Sequence, residues 1–227
     1  MSNRVQFITS GAIVLAALMV LVETLFFASL RQNYSHSSNT ISELGETGAP
    51  HAGQVAFGFF LPVGLLVWLA LGLVYRGASD RYVTTALIAL ASLGVGYVAA
   101  VFFPCDPGAP LCGSWRTQVH NLAGFIDYVG TGIGFLIISR YFTRQRLTIH
   151  AFAFLVAGGL VLVCMVLLSF PAAFPIRGAI QRTAEILQFV GVFFVCYLVP
   201  KQSPDTVLEP TKKNDDEVKR WCGSVRN

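Results

Sequence analysis

Six apolar runs, at about 6–30, 55–75, 83–103, 118–142, 151–170 and 178–199, take up nearly the whole chain. A helix rises about 1.5 Å per residue, so each run is long enough to cross a hydrocarbon core roughly 30 Å thick. Lipid leaves no backbone polar group unsatisfied, and apolar segments of this length solve that problem as helices. The expected fold is therefore all-α, a polytopic membrane bundle of six transmembrane helices. Charged residues make up only 12% of the chain, about half the share of a soluble domain.

The first run follows Arg4 and has Ala28 near its end, as a secretory signal would. Its length of about 25 residues exceeds the usual 7–15-residue apolar core of such a signal, and no clear A-x-A site follows, so we read it as a retained helix. Residues 201–227, which include the mixed-charge stretch KKNDDEVKR, are expected to form a solvated, disordered tail.

Basic residues set the expected orientation. Twelve lie at one face: Arg4, Arg76, Arg81, Arg140, Arg144, Arg146, Lys201, Lys212, Lys213, Lys219, Arg220 and Arg226. Four lie at the other: Arg31, Arg116, Arg177 and Arg182. Both termini are thus expected in the cytoplasm of a cell that carries the protein in its inner membrane. A basic rim of this kind accounts for the net charge of +4 without nucleic acid as a partner.

The connections on the cytoplasmic side are short, whereas those on the outer side are long and chemically mixed. RQNYSHSSNTISELGETGAPHAGQ follows the first run, FPCDPGAPLCGSWRTQVH joins the third to the fourth, and PAAFPIRGAIQR leads into the sixth. Within the first of these, Ser38 or Asn39 is expected to cap a short helix through TISELG, with Gly45 ending it in a left-handed conformation. In the fourth run, GTGIG at 130–134 carries a G-x-x-x-G spacing that permits close backbone approach.

Three acids fall inside the runs: Glu23, Asp127 and Glu185. An ionisable group in lipid is costly and is a functional candidate by default. Counting residues from the helix ends puts all three in the outer half of the bilayer. Asp127 lies seven residues, two turns, below His120, and Gln181, Arg182 and Gln188 lie within a turn of Glu185. The expectation is one polar cavity opening outward, floored by Asp127 and Glu185 and rimmed by His120 and Asp106.

Catalytic candidates are therefore His120, Asp106, Asp127 and Glu185. A hydrolase or transferase acting on a lipid head group needs a base and a positive group for developing negative charge. Arg177 and Arg182 would hold a phosphate or carboxylate, and Ser37, His36, Glu43 and Glu23 complete the candidate binding set. An Arg182–Glu185 pair that only locks helices is an equal alternative. No paired ligand motif marks a metal site, so none is assigned, and the residues name no cofactor.

Cys105 and Cys112 face the oxidising side across the turn-forming DPGAPL, and a disulfide is the preferred reading over free thiols or metal ligands. Cys164 and Cys196 read as apolar fillers, and Cys222 as a reduced tail thiol.

YSHSSNTISELG after the first helix, FPCDPG with His120, and RGAIQRTAE entering the sixth helix together resemble a prokaryotic family of six-helix membrane proteins defined as a domain of unknown function, DUF998. The resemblance covers roughly residues 5–200. It implies a distant similarity to eukaryotic membrane proteins of lipid remodelling and autophagy modulation, hence membrane lipids as partners. It also singles out Ser37, Glu43, Asp106, His120, Arg177 and Glu185, and does not include the cysteines. A proton-coupled transporter using Glu23, Asp127 and Glu185, and a non-catalytic scaffold or sensor, remain rival readings. Oligomeric state is not written in these residues.

Overall fold

The structure is a computed structural model and describes residues 3–199; the expected tail at 201–227, with Cys222, lies outside the described residues. Six helices are long and apolar enough to cross a membrane: Asn3–Leu30, Ala52–Gly77, Arg81–Phe102, Trp115–Arg144, Thr148–Leu168 and Pro171–Leu198. The chain is a multi-pass membrane protein of all-α class, as the apolar runs require.

The boundaries follow from local chemistry. Asp80 starts the third span by accepting hydrogen bonds from the Tyr82 and Val83 amides, at 2.7 and 3.3 Å. Ser114 starts the fourth in the same way, through the Thr117 amide. Two spans are irregular. The second passes through a π-helical turn at Ala56–Phe60, a widening often found beside functional sites. The sixth opens with a 3₁₀ segment, Pro171–Ile176, before its α-helical part, Arg177–Leu198.

The fourth span is the central one and packs against the third and the fifth. Its glycines permit this on two faces. A Cβ at Gly130 would fall 2.3 Å from the Ser92 hydroxyl of the third span, and one at Gly132 would fall 2.7 Å from Leu162 of the fifth. The first span packs against the second and the sixth, while the fourth and sixth meet sparingly. Between those two sits a polar layer, and beyond it Phe135, Ile138, Phe142, Val192 and Val195 are buried with no exposed surface.

Residues 31–51, 103–114 and 169–176 close one end of the bundle, here called the capped face. The short helix expected within TISELG is a single 3₁₀ turn, Ile41–Gly45. Its cap is Thr40, not Ser38 or Asn39, because Glu43 reaches back to the Thr40 amide at 2.8 Å. Gly45 is not left-handed either: the residues of positive φ in this loop are Asn33, Gly48 and His51. Gly45 is required by packing, since a Cβ there would lie 2.8 Å from the Phe60 ring.

Candidate functional site

The two arginines expected to hold an anion are spent on the cap. Arg177 donates through Nε to the Ser38 carbonyl (3.2 Å), through Nη1 to the Ala109 carbonyl (3.0 Å), and through Nη2 to the Gly108 carbonyl (2.6 Å) and the Glu43 carboxylate (2.8 Å). Arg182 donates through Nη1 to the carbonyls of His36 (2.8 Å), Asn39 (2.8 Å) and Gly178 (2.9 Å), and through Nη2 to the Tyr34 hydroxyl (2.7 Å). No Arg182–Glu185 pair forms, because the guanidinium turns up to the first loop and away from the bundle. Burial raises the Tyr34 phenol, which stays neutral and donates to the Thr40 carbonyl at 2.8 Å.

The other cap candidates are similarly committed. Glu43, only 1% exposed, accepts from Asn39, Thr40 and Arg177. Arg31 pairs with Glu46, whose second oxygen accepts from the Gly108 amide at 2.7 Å and so ties the first loop to the third. The Ser37 carbonyl accepts from the Ala179 amide at 2.9 Å, and the His36 ring packs edge-on against Tyr34.

Asp106 does not rim the expected cavity. Its carboxylate accepts from the Ser114 amide (2.6 Å) and hydroxyl (2.9 Å), while its own amide donates to Thr117 (2.8 Å). These hydrogen bonds, the Ser114 amide first, hold its carboxyl below the usual aspartate range. Asp106 thus stitches the 106–114 turn to the start of the fourth span. The expected Cys105–Cys112 disulfide is also absent. Cys105 is buried under the first loop with its sulfur 3.7 Å from the Ser42 carbonyl, whereas Cys112 is exposed. Burial, with Glu46 and Glu43 nearby, pushes the Cys105 thiol up to about 12. Maleimide at about pH 8 is therefore expected to modify Cys112 and spare Cys105 in the folded protein, because the thiolate is the reactive form. Peptide mass spectrometry reads this directly, and a Cys105–Cys112 crosslinked peptide would contradict it.

The remaining candidates converge. His120, Asp127 and Glu185 line one small cavity of about 50 Å³ together with Phe60, Tyr97, Tyr128 and Gln181. It adjoins a larger groove of about 380 Å³, walled by Leu122, Phe125, Met165, Leu168 and Phe174. Ser42, His120, Gly124, Tyr128 and Gln181 line both, so they form the passage between groove and chamber. Arg177 touches the groove alone. Ser37, His36, Glu43, Arg182 and Glu23 line neither.

His120 Nδ1 lies 3.0 Å from the Phe103 carbonyl. A carbonyl only accepts, so this nitrogen carries the proton and the lone pair of the neutral ring is at Nε2. Below it, Glu185 accepts from the Tyr97 hydroxyl at 2.8 Å and from the Tyr128 hydroxyl at 3.5 Å. Asp127 accepts at Oδ1 from Gln188 (2.9 Å) and Thr131 (3.4 Å), while its Oδ2 sits against Gly96, where a Cβ would fall 2.4 Å away. Among the described residues, no group of three or more His, Cys, Asp or Glu side chains is placed to hold a metal ion.

Glu23 is the exception to convergence. It has no exposed surface, and neither carboxylate oxygen has a hydrogen-bond partner among the described residues. Sequence reasoning passed over Tyr97, Tyr128, Ser42 and Gly124, which carry no unusual chemistry alone. Spacing offers one signal in retrospect: Gly124 and Tyr128 are one turn apart on the face shared by His120 and Asp127.

No curated protein and no solved structure matches the chain. The model of one family, described as a protein of unknown function (DUF998), matches residues 13–198, which is most of the chain and all six spans save the first turns of the first, and the chain belongs to that family.

Proposed function

We propose that this protein binds the head group of a lipid or other amphiphile in the outer half of the bilayer, with the acyl chain along the groove between its fourth, fifth and sixth spans. The observation that carries this reading is the join of an apolar-walled groove to a polar chamber at His120. Ligand sites commonly have this make-up, mostly apolar with a few convergent polar groups. The groove walls include Leu122 and Phe125, which are exposed on the lipid-facing surface, so a chain can enter sideways from the membrane. The distant link to lipid-remodelling membrane proteins that the family resemblance implies is consistent with this reading.

His120 lines both groove and chamber, and its Nε2 accepts no hydrogen bond among the described residues, so it is placed to move a proton at the head group. If the bound lipid is processed, His120 is the base. A transporter is less well supported, because the polar layer gives way to Phe135, Ile138, Phe142 and Val195 toward the opposite face.

The test uses the full chain in vesicles with a phospholipid that carries a diazirine on its acyl chain. Adducts are expected to concentrate in peptides covering 120–128 and 165–174, and Met165→Trp, which fills the groove, is expected to lower them about tenfold. Adducts spread evenly over the six spans, unchanged by Met165→Trp, would overturn the reading.

A further inference from the structure

The side chains that line the deep chamber include acids and no fixed cation. Glu185 and Asp127 supply carboxyls, Phe60, Tyr97 and Tyr128 supply aromatic rings, and no Lys or Arg lines it. Arg177 and Arg182, the nearest guanidiniums by sequence, direct their Nη donors to cap carbonyls, to Glu43 and to Tyr34. His120 stands at the mouth with its proton toward the Phe103 carbonyl and its lone pair free.

A second observation singles out Asp127. The residue is only 4% exposed, yet its Oδ2, against the chamber-lining Gly96, accepts no hydrogen bond among the described residues. Behind it, the fully buried Gln188 gives its amide nitrogen to Asp127 and leaves Oε1 without a partner. Acceptors in a low-dielectric interior require a donor or a cation in compensation. The free volume of about 50 Å³ admits a group of a few heavy atoms at most.

We propose that the chamber is a cation site, and that the amphiphile this protein takes carries an ammonium head group, seated among Asp127, Glu185 and the Tyr97 and Tyr128 rings. This rests on the groove reading and names its ligand class. Aromatic faces and carboxylates are the recurrent surroundings of alkylammonium groups. An anionic head would instead meet two acids and no free guanidinium. Gly124 lines both groove and chamber, and nothing lies within 4 Å of the position a Cβ would take there.

The test compares three photoactivatable probes with the same diazirine-bearing alkyl chain and a trimethylammonium, hydroxyl or sulfate head, on the full-length protein in neutral-lipid vesicles. The trimethylammonium probe is expected to label 120–128 half-maximally at about tenfold lower concentration than the hydroxyl probe, a modest cation–π and charge preference. Asp127→Asn is expected to abolish that preference. Gly124→Leu, whose Cβ meets no neighbour and whose longer side chain narrows the junction of groove and chamber, is expected to abolish it while the hydroxyl probe still labels the groove. Equal labelling by all three heads, or a preference for sulfate, would overturn the cation site and leave the groove standing. No probe concentrating at the groove would overturn the groove reading itself.

Discussion

Replacing Arg177 with alanine is expected to destabilise the folded protein by about 3–5 kcal/mol, the usual cost of stranding one member of a buried ion pair. The Arg177 side chain is 12% exposed and that of Glu43 is 1% exposed, so both partners are largely withdrawn from water. The same substitution removes donors from the carbonyls of Ser38, Gly108 and Ala109, and Ala109 holds its position at a positive φ of 40°. Three segments distant in sequence are joined through this one side chain. A lysine offers a point charge in place of a fork and is expected to recover little. Glu43→Gln added to Arg177→Ala should cost less than the two changes summed, because the stranded charge is gone. Thermal unfolding in detergent measures all four variants; a change within about 0.5 kcal/mol for Arg177→Ala, the range of ordinary surface substitutions, would sink the account.

The fold was readable because lipid imposes it. Apolar runs of the right length have one outcome, while the caps that start the third and fourth spans, Asp80 and Ser114, emerge from the structure. The candidate site was readable only along single helices. His120 and Asp127 share a stripe by spacing, and Glu185 shares their depth, so their meeting in one chamber follows from elements that sequence can place. The loops could not be read that way. Arg182 and Glu185 are three residues apart, which makes a pair plausible, but the choice of partner was decided by the carbonyls of His36 and Asn39, 146 and 143 residues away in the chain. Asp106 had the same ambiguity. A carboxylate beside a Pro-Gly turn reads equally as a reactive group or as a stitch, and the Ser114 amide made it a stitch.

These reassignments bear on chemistry. With Arg177 and Arg182 available, the end of the bundle would attract phosphate or carboxylate. With both committed to the cap, the chamber is lined by two acids, aromatic rings and one imidazole, and the ligand proposed for it is cationic. The cap is then the rigid part, and it holds Thr40, Ser42, Ala109 and Arg177 at the wall of the groove. A site set on such a frame keeps its geometry while the lipid-facing walls adapt.

Glu23 tests how far the polar layer belongs to function. A buried polar group without a partner costs about 1–3 kcal/mol, and more when charged. Glu23→Met keeps the length of the side chain in an apolar and adaptable form, so it is expected to stabilise the protein by about 1–3 kcal/mol, seen as a higher thermal midpoint. Glu23→Gln, still polar, should gain less. A loss of stability in Glu23→Met would show that the carboxyl has a compensating partner and would refute its description as uncompensated. Stabilisation has a further use, because an acid retained in lipid at a cost to the fold is a candidate for action elsewhere. Glu185 is close enough to act on Glu23 electrostatically, so the first span is linked to the chamber through Glu185 without lining it. If Glu23→Met raises the midpoint and also narrows the preference for the trimethylammonium probe, the acid acts on the chamber through Glu185. If it raises the midpoint and leaves the preference intact, the chamber selects its ligand with Asp127 and Glu185 alone.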